Sequence, residues 1–106
     1  YIALVLKYTT SAVADFKFTF TIPAAATARL WVLNEAVAAA TKLVTYDATA
    51  ALSLDGDGTT SYKEAYILYI GGANAGNVQL QWAQVTAEVS NTQLLTNSFM
   101  LSHKLA

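Results

Sequence analysis

The stretch DFKFTFTIP, residues 15–23, carries the pattern that decides the fold. Its large apolar residues alternate with polar ones: Phe16, Phe18, Phe20 and Ile22 on one side, Lys17, Thr19 and Thr21 on the other. Successive side chains of a strand point to opposite faces of a sheet, so the phenylalanines share one face. Pro23 ends the strand because it has no N–H for the ladder. We predict a half-buried strand with Phe16, Phe18 and Phe20 in the core.

Most of the chain repeats this alternation. Strands are predicted at YIALVLKY (1–8), ARLWVLN (28–34), YKEAYILYI (62–70), NVQLQWAQV (77–85) and SFMLSHKLA (98–106), with a weak one inside SNTQLLTNS (90–98). The short TTSAVA link predicts that the first two strands are antiparallel neighbours, and GGANAGN (71–77) predicts a hairpin. We therefore predict one all-β domain over residues 1–106: an antiparallel β-sandwich, jelly-roll-like, with six to eight short strands.

Two segments are less regular. EAVAAATKL (35–43) fits a short helix by its alanines, or a loop before a strand formed by TKLVTYDAT (41–49). SLDGDGTTS (53–61) is predicted as a loop from its composition.

The composition restricts the function classes. Only 12% of the 106 residues are charged, about half the usual share, and the formal net charge is −1. The basic residues are scattered, so the chain has no footprint for nucleic acid. Its apolar runs are far shorter than the roughly 20 residues that span a bilayer. Extensive contact with other subunits is the simplest reason for so little charge.

No catalytic constellation emerges from the sequence. His103 is the only histidine and shares its predicted strand face with apolar residues, so we assign it to a subunit interface or a structural role. The chain has no Gly-x-Ser-x-Gly motif and no cysteine, and the spacing of its seven acidic residues selects no pair. We predict that the protein is not an enzyme and uses no cofactor.

Two binding chemistries stay open as alternatives. Asp55-Gly56-Asp57-Gly58 resembles the start of a calcium loop, but the twelfth position of an EF-hand would fall on Tyr66, so we predict a turn and no metal site. The two tryptophans and six tyrosines suit either a sugar-stacking platform or buried strand positions.

The stretch NVQLQWAQV places uncharged amides on one strand face. Gln79 and Gln81 share that face, while Val78, Leu80 and Trp82 are predicted to fill the core. A face buried against another subunit avoids unpaired charge because desolvation is costly, whereas Gln both donates and accepts. We predict that Gln79, Gln81 and His103 lie at a subunit interface; the alternative is a solvated face. In the last strand, Phe99 and Leu101 are predicted to belong to the core.

GNVQLQWAQ, with the closing LLTNSFMLSHKL and the opening YIALVLKYTTSAVADFKFTFTIPAAATARLW, resembles a domain of tailed-bacteriophage structural proteins. QLQWAQ is its most specific part, and LNEAVAAATKLV matches only loosely. The resemblance implies a jelly-roll-like sandwich found in head decoration proteins, head fibres and tail fibres. It also implies a homotrimer with no catalytic residues, and further strands before Tyr1.

We therefore expect a virion structural protein that decorates or stabilises a phage capsid or forms part of a fibre. Its partners would be copies of itself and other virion proteins such as the major capsid protein, with no nucleic acid and no membrane. The alternative is a fibre tip that binds a host glycan or receptor through the loops at 53–61 and 71–77.

Overall fold

The structure is a computed structural model that describes residues 1–37 and 40–105. Its described residues form nine strands: β1 (Ile2–Thr9), β2 (Phe16–Thr21), β3 (Thr27–Val37), β4 (Ala40–Asp47), β5 (Leu52–Leu54), β6 (Thr60–Ile70), β7 (Gln79–Gln84), β8 (Gln93–Leu94) and β9 (Phe99–Ser102). This is one strand more than predicted, because β5 includes Ser53 and Leu54, which begin the segment 53–61 that was predicted as a loop.

The strands form two antiparallel sheets that pack as a β-sandwich, which confirms the predicted fold class. The large sheet has the order β4-β3-β6-β1, with β8 and β9 following one another along the far edge of β1. The small sheet has the order β5-β2-β7. β7 is therefore an edge strand of the small sheet.

Two predicted pairings of consecutive strands are wrong. β1 pairs with β6, from Ile2 opposite Ile67 to Thr9 opposite Thr60, and β2 lies in the other sheet. β6 and β7 likewise lie in different sheets and form no hairpin. A short link can carry the chain across the core as readily as back along one sheet. The crossing is favoured here because it stacks the rings of Tyr8 and Phe16, whose centroids lie 4.8 Å apart.

The helix alternative for residues 35–43 is also wrong. β3 continues to Val37 and pairs with β4, with a register irregularity between Val32 and Glu35. Residues 38 and 39 lie outside the described part of the chain. The helix propensity of alanine is a weak preference. In residues 35–37 the ladder with residues 40–42 of β4 outweighs it.

The core lies between the two sheets. Phe16, Phe18 and Phe20 are at most 2% exposed, which confirms that part of the predicted core. Val78 and Leu80 are partly buried and pack against it. The strands of the large sheet contribute the facing layer: Ile2, Leu4, Leu6, Tyr8, Ala28, Leu30, Val32, Ala65 and Ile67.

Three predicted core residues are exposed. Trp82 faces inward and stacks on Phe16 at 5.6 Å, but β7 is an edge strand, so the indole remains 43% exposed. Phe99 and Leu101 are 54% and 64% exposed because they lie on the outward side of β9, opposite Val5 and Ala3. The inward positions of β9 hold Met100 and Ser102, so the more apolar set faces outward and periodicity selected the wrong face.

A hydrogen-bonded corner carries the chain from β1 into β2. The hydroxyl of Thr10, a buried residue, donates to the Asp15 carbonyl at 3.0 Å, and the Gly58 N–H donates to the Thr10 carbonyl at 2.9 Å. The Gly56 N–H donates to the Asp15 carboxylate at 3.0 Å. A Cβ atom at Gly56 would lie 2.5 Å from the Thr10 carbonyl oxygen, so this position needs glycine.

The burial pattern predicts unequal costs for two aromatic truncations. Phe16→Ala should lower the free energy of unfolding by about 3–5 kcal/mol, since its ring is fully buried. Trp82→Ala should cost roughly half as much, because its indole is partly in solvent. Urea unfolding of both variants measures the difference. Equal costs would mean that the indole is covered in solution.

Candidate functional site

The predicted glutamine face lies on the outward side of β7. Gln79 is opposite Thr21 and Gln81 is opposite Thr19 on the neighbouring strand β2. Both amides are exposed, while Leu80 between them packs against the core. The predicted division of β7 into an amide face and a core face is confirmed, and contact of the amides with another subunit stays a prediction.

A shallow groove of about 580 Å³ lies over β2 and β7. Lys17, Thr19, Gln81 and Trp82 are among its lining residues. Lys17, Thr19 and Gln81 supply an ammonium group, a hydroxyl and an amide, and no carboxylate or imidazole that could act as a general base lines the groove. The residues that line the groove therefore offer no carboxylate–imidazole pair for catalysis.

His103 follows β9 of the large sheet, whereas Gln79 and Gln81 lie on β7 of the small sheet. The backbone N–H of His103 donates to the Tyr1 carbonyl at 2.7 Å, and the Tyr1 ammonium donates to the His103 carbonyl at 2.9 Å. The residue lines an end cavity of about 690 Å³ together with apolar residues such as Met100 and Leu105. No carboxylate lines this cavity, so His103 has no acidic partner there for a catalytic triad.

The outward face of the large sheet carries an apolar row across four strands. Leu101 of β9 is opposite Ala3 of β1, Ala3 is opposite Tyr66 of β6, and Tyr66 is opposite Trp31 of β3. Tyr1 stacks on Tyr66 with ring centroids 5.7 Å apart. We call the row Leu101–Ala3–Tyr66–Trp31 the outer row.

The sequence analysis did not single out the outer row. Its signal is present in ARLWVLN and YKEAYILYI, where apolar residues occupy both alternating sets of positions. A strand with one solvated face alternates cleanly between apolar and polar residues. Apolar residues on both faces therefore indicate a second covered surface, but only the register shows that Trp31, Tyr66 and Leu101 fall into line.

The acidic residues make local hydrogen bonds. Asp57 accepts from the side chain and the backbone N–H of Thr59, at 2.7 and 2.8 Å, and these bonds lower the pKa of its carboxyl group. Asp47 accepts from the backbone N–H and the hydroxyl of Thr49, which lowers its pKa in the same way. Among the described residues, no three acidic, histidine or cysteine side chains form a cluster that could hold a metal.

Glu88 ties the segment after β7 to the β1–β2 corner. The hydroxyls of Ser11 and Ser90 donate to its carboxylate, and the Glu88 N–H donates to the Gln84 side chain at 3.2 Å. The hydrogen bond from Ser11, followed by that from Ser90, holds the pKa of the Glu88 carboxyl below its usual range.

The loops of the predicted receptor-binding tip lie at opposite ends of the sandwich. The segment before β6 packs at the β1–β2 corner, where Gly56 adjoins Thr10. The segment after β6 adjoins the β2–β3 link, where the Asn74 side chain donates to the Ala24 carbonyl at 3.3 Å. The whole length of β6 separates the two loops, so one binding tip cannot use both.

The Glu88 contacts predict a specific acid sensitivity. A carboxyl whose pKa is lowered by folding stabilises the protein above its unfolded pKa, near 4.3. That contribution is lost as pH falls through the folded value. The melting temperature of the wild type should therefore drop more steeply than that of Glu88→Gln between about pH 5 and 3. Circular dichroism melts at several pH values measure both slopes. Glu64→Gln, which changes an exposed carboxylate on β6, is the control, and equal slopes in all three proteins would contradict the prediction.

Comparison with known proteins identified no relative of this chain. No protein-family model, no curated protein and no solved structure matches this chain. None of the described residues forms a helix long and apolar enough to cross a membrane. The resemblance to phage structural domains stays a prediction, and a function has to be supported by the fold and the surfaces described above.

Proposed function

We propose that this domain is a non-enzymatic structural module of a bacteriophage virion, and that it assembles with copies of itself through the outward face of the large sheet. The observation that supports the proposal most directly is the outer row, which crosses four strands without a charged residue. Leu101 is 64% exposed and Ala3, Tyr66 and Trp31 are partly exposed, and contact with another protein is a common reason for an apolar row of this kind.

The neighbours of the outer row fit a subunit contact. Phe99 extends the apolar surface and is 54% exposed. Lys7 lies 5.6 Å from the ring centre of Tyr62, and Glu64 is opposite Val5. Aromatic and aliphatic residues in the centre with charges beside them are the usual arrangement of a protein interface.

Aliphatic residues favour a protein partner over a glycan. Sugar sites rely on open aromatic faces with polar groups that bind hydroxyls, whereas Leu101 and Ala3 offer neither. One face of the Tyr66 ring is stacked against Tyr1. The separation of the two candidate loops also weighs against the receptor-binding alternative.

The resemblance of the sequence supports the remaining parts of the proposal. It implies a trimer, a place on the capsid surface or in a fibre, and contact with other virion proteins such as the major capsid protein. A specific contact needs roughly 800 Å² of each partner's surface. A trimer that buries the outer row would also account for the low share of charged residues.

Substitution of Leu101 by lysine tests the assembly surface. The side chain is 64% exposed, so Leu101→Lys should leave the fold of the single chain intact. Burial of an unpaired charge in the interface should weaken self-association at least tenfold, which is about 1.4 kcal/mol. Light scattering during gel filtration, over a range of concentrations, measures the mass of the wild type and the variant.

Val89→Lys is the matched control. It makes the same kind of change at a fully exposed apolar residue between β7 and β8, off the face of the large sheet. This variant should assemble like the wild type. A wild type that stays monomeric at high concentration, or a Leu101→Lys variant with the wild-type mass, would contradict the proposal.

A further inference from the structure

The free edge of β7 lacks the usual protection of an edge strand. Within the described chain β7 pairs only with β2, so its other edge has no partner strand. Residues 77–87 contain no charge and no proline. Exposed edges normally carry lysine, proline or a bulge that prevents pairing with another chain. An unprotected edge of six residues is thus open to an added strand.

The direction of the backbone groups shows which residues would bond to that strand. The Phe20 N–H donates to the Ala48 carbonyl at 2.9 Å, on the side of β2 away from β7. Backbone groups alternate along a strand, so Thr19 is among the residues that bond to β7, through its partner Gln81. The residues on either side of Gln81 therefore direct their N–H and C=O groups to the free edge.

Those two residues, Leu80 and Trp82, also point their side chains into the sandwich. Leu80 is partly buried, and Trp82 stacks on Phe16 yet is 43% exposed. The small sheet has three strands against five positions across the large one, so it cannot cover the whole inner face of the large sheet. An added strand would satisfy the backbone and cover the indole at once.

We propose that this strand is β7 of a second copy, paired antiparallel with Gln81 opposite Gln81. In this register Leu80 and Trp82 exchange hydrogen bonds with Trp82 and Leu80 of the other copy, so the groups at the free edge meet one another. Both large side chains stay on the inner face. Gln79 is then opposite Ala83.

The side chains of β7 are compatible with pairing to the same strand of a second copy. In a two-fold pairing the residue on the axis faces itself, and a charge there would be repelled by its equivalent. Gln81 avoids this, because one amide can donate to the other and accept in return. The remaining pairs join an aliphatic to an aromatic side chain and an amide to a small residue.

The other edges of the two sheets are less suitable. β5 has three residues, and β8 and β9 divide their edge into strands of two and four. The sequence of β4 includes Lys42 and Asp47. Among the described edge strands, β7 alone combines six consecutive residues with a complete lack of charge.

This contact is separate from the outer row and goes beyond the proposed function. The outer row lies on the large sheet, whereas the free edge belongs to the small one. Trimers formed through one surface could be joined in pairs by the other. Each contact can therefore fail without the other.

Disulfide cross-linking tests both the partner and the register, since the natural sequence has no cysteine. In the proposed pairing the two Gln81 Cα atoms lie about 4.5 Å apart, within the range that a disulfide spans. Gln81→Cys should form a covalent dimer in oxidised glutathione at micromolar protein concentration.

Gln79→Cys is the matched control on the same exposed face. Its equivalent in the second copy is displaced by four residues along the strand, about 13 Å, which is too far for a disulfide. It should stay largely reduced, while the double variant Gln79→Cys with Ala83→Cys should cross-link. Non-reducing gels give the dimer fraction, and circular dichroism confirms that each variant is folded.

Cross-linking of Gln81→Cys at least tenfold faster than that of Gln79→Cys supports the pairing. Equal rates would indicate random collisions and overturn it, as would a folded Gln81→Cys variant that forms no dimer. Combining Gln81→Cys with Leu101→Lys separates the two proposals. A cross-link that persists without the trimer supports the β7 contact alone. A trimer that forms without a cross-link supports the outer-row contact alone.

Discussion

The corner between β1 and β2 is the constraint on which the rest of the sandwich depends. The chain leaves the large sheet at Thr10 and enters the small one after Asp15, whose backbone has a φ of 48°. The hydrogen bonds of the segment that holds Gly56 and Gly58 fix this corner from the far side. If the chain turned back at this point, the phenylalanines of β2 would lie beside β1 rather than face it across the core.

Periodicity predicted the strands and the inward side of β2, but it did not predict the sheets. It correctly identified the buried face of β2 because lysine and threonine occupy the other one. It misplaced Phe99 and Leu101 because the more apolar set of positions in β9 faces outward. Which strand pairs with which depends on contacts such as that of β1 with β6, more than fifty residues away along the chain. A single sequence contains no direct signal for such pairs.

The candidate surfaces could likewise be predicted from the sequence only in part. The exposed amides of Gln79 and Gln81 were predicted from alternation alone, whereas the outer row needed three registers to become visible. That row also changes the interpretation of the low charge. Apolar residues such as Val5 and Tyr66 occupy outward positions on the central strands of the large sheet, where a free-standing sheet would carry lysine and glutamate. Lys7, Arg29 and Glu64 also lie on that face, so the lack of charge belongs to the outer row and to the glutamine strand rather than to the whole face.

The crossing topology also has a consequence for how the chain folds. Among the described strands, β3 and β4 are the only consecutive ones that pair with each other. β1 pairs with β6 and β9, and β2 pairs with β7, all of which come much later in the chain. Loops of this length close slowly, so folding is expected on the millisecond-to-second scale typical of β-sandwiches. During synthesis on the ribosome, β1 and β2 emerge long before their partners. Their apolar faces are then open to contacts with neighbouring chains, so the yield of folded protein should depend on temperature and on the rate of expression.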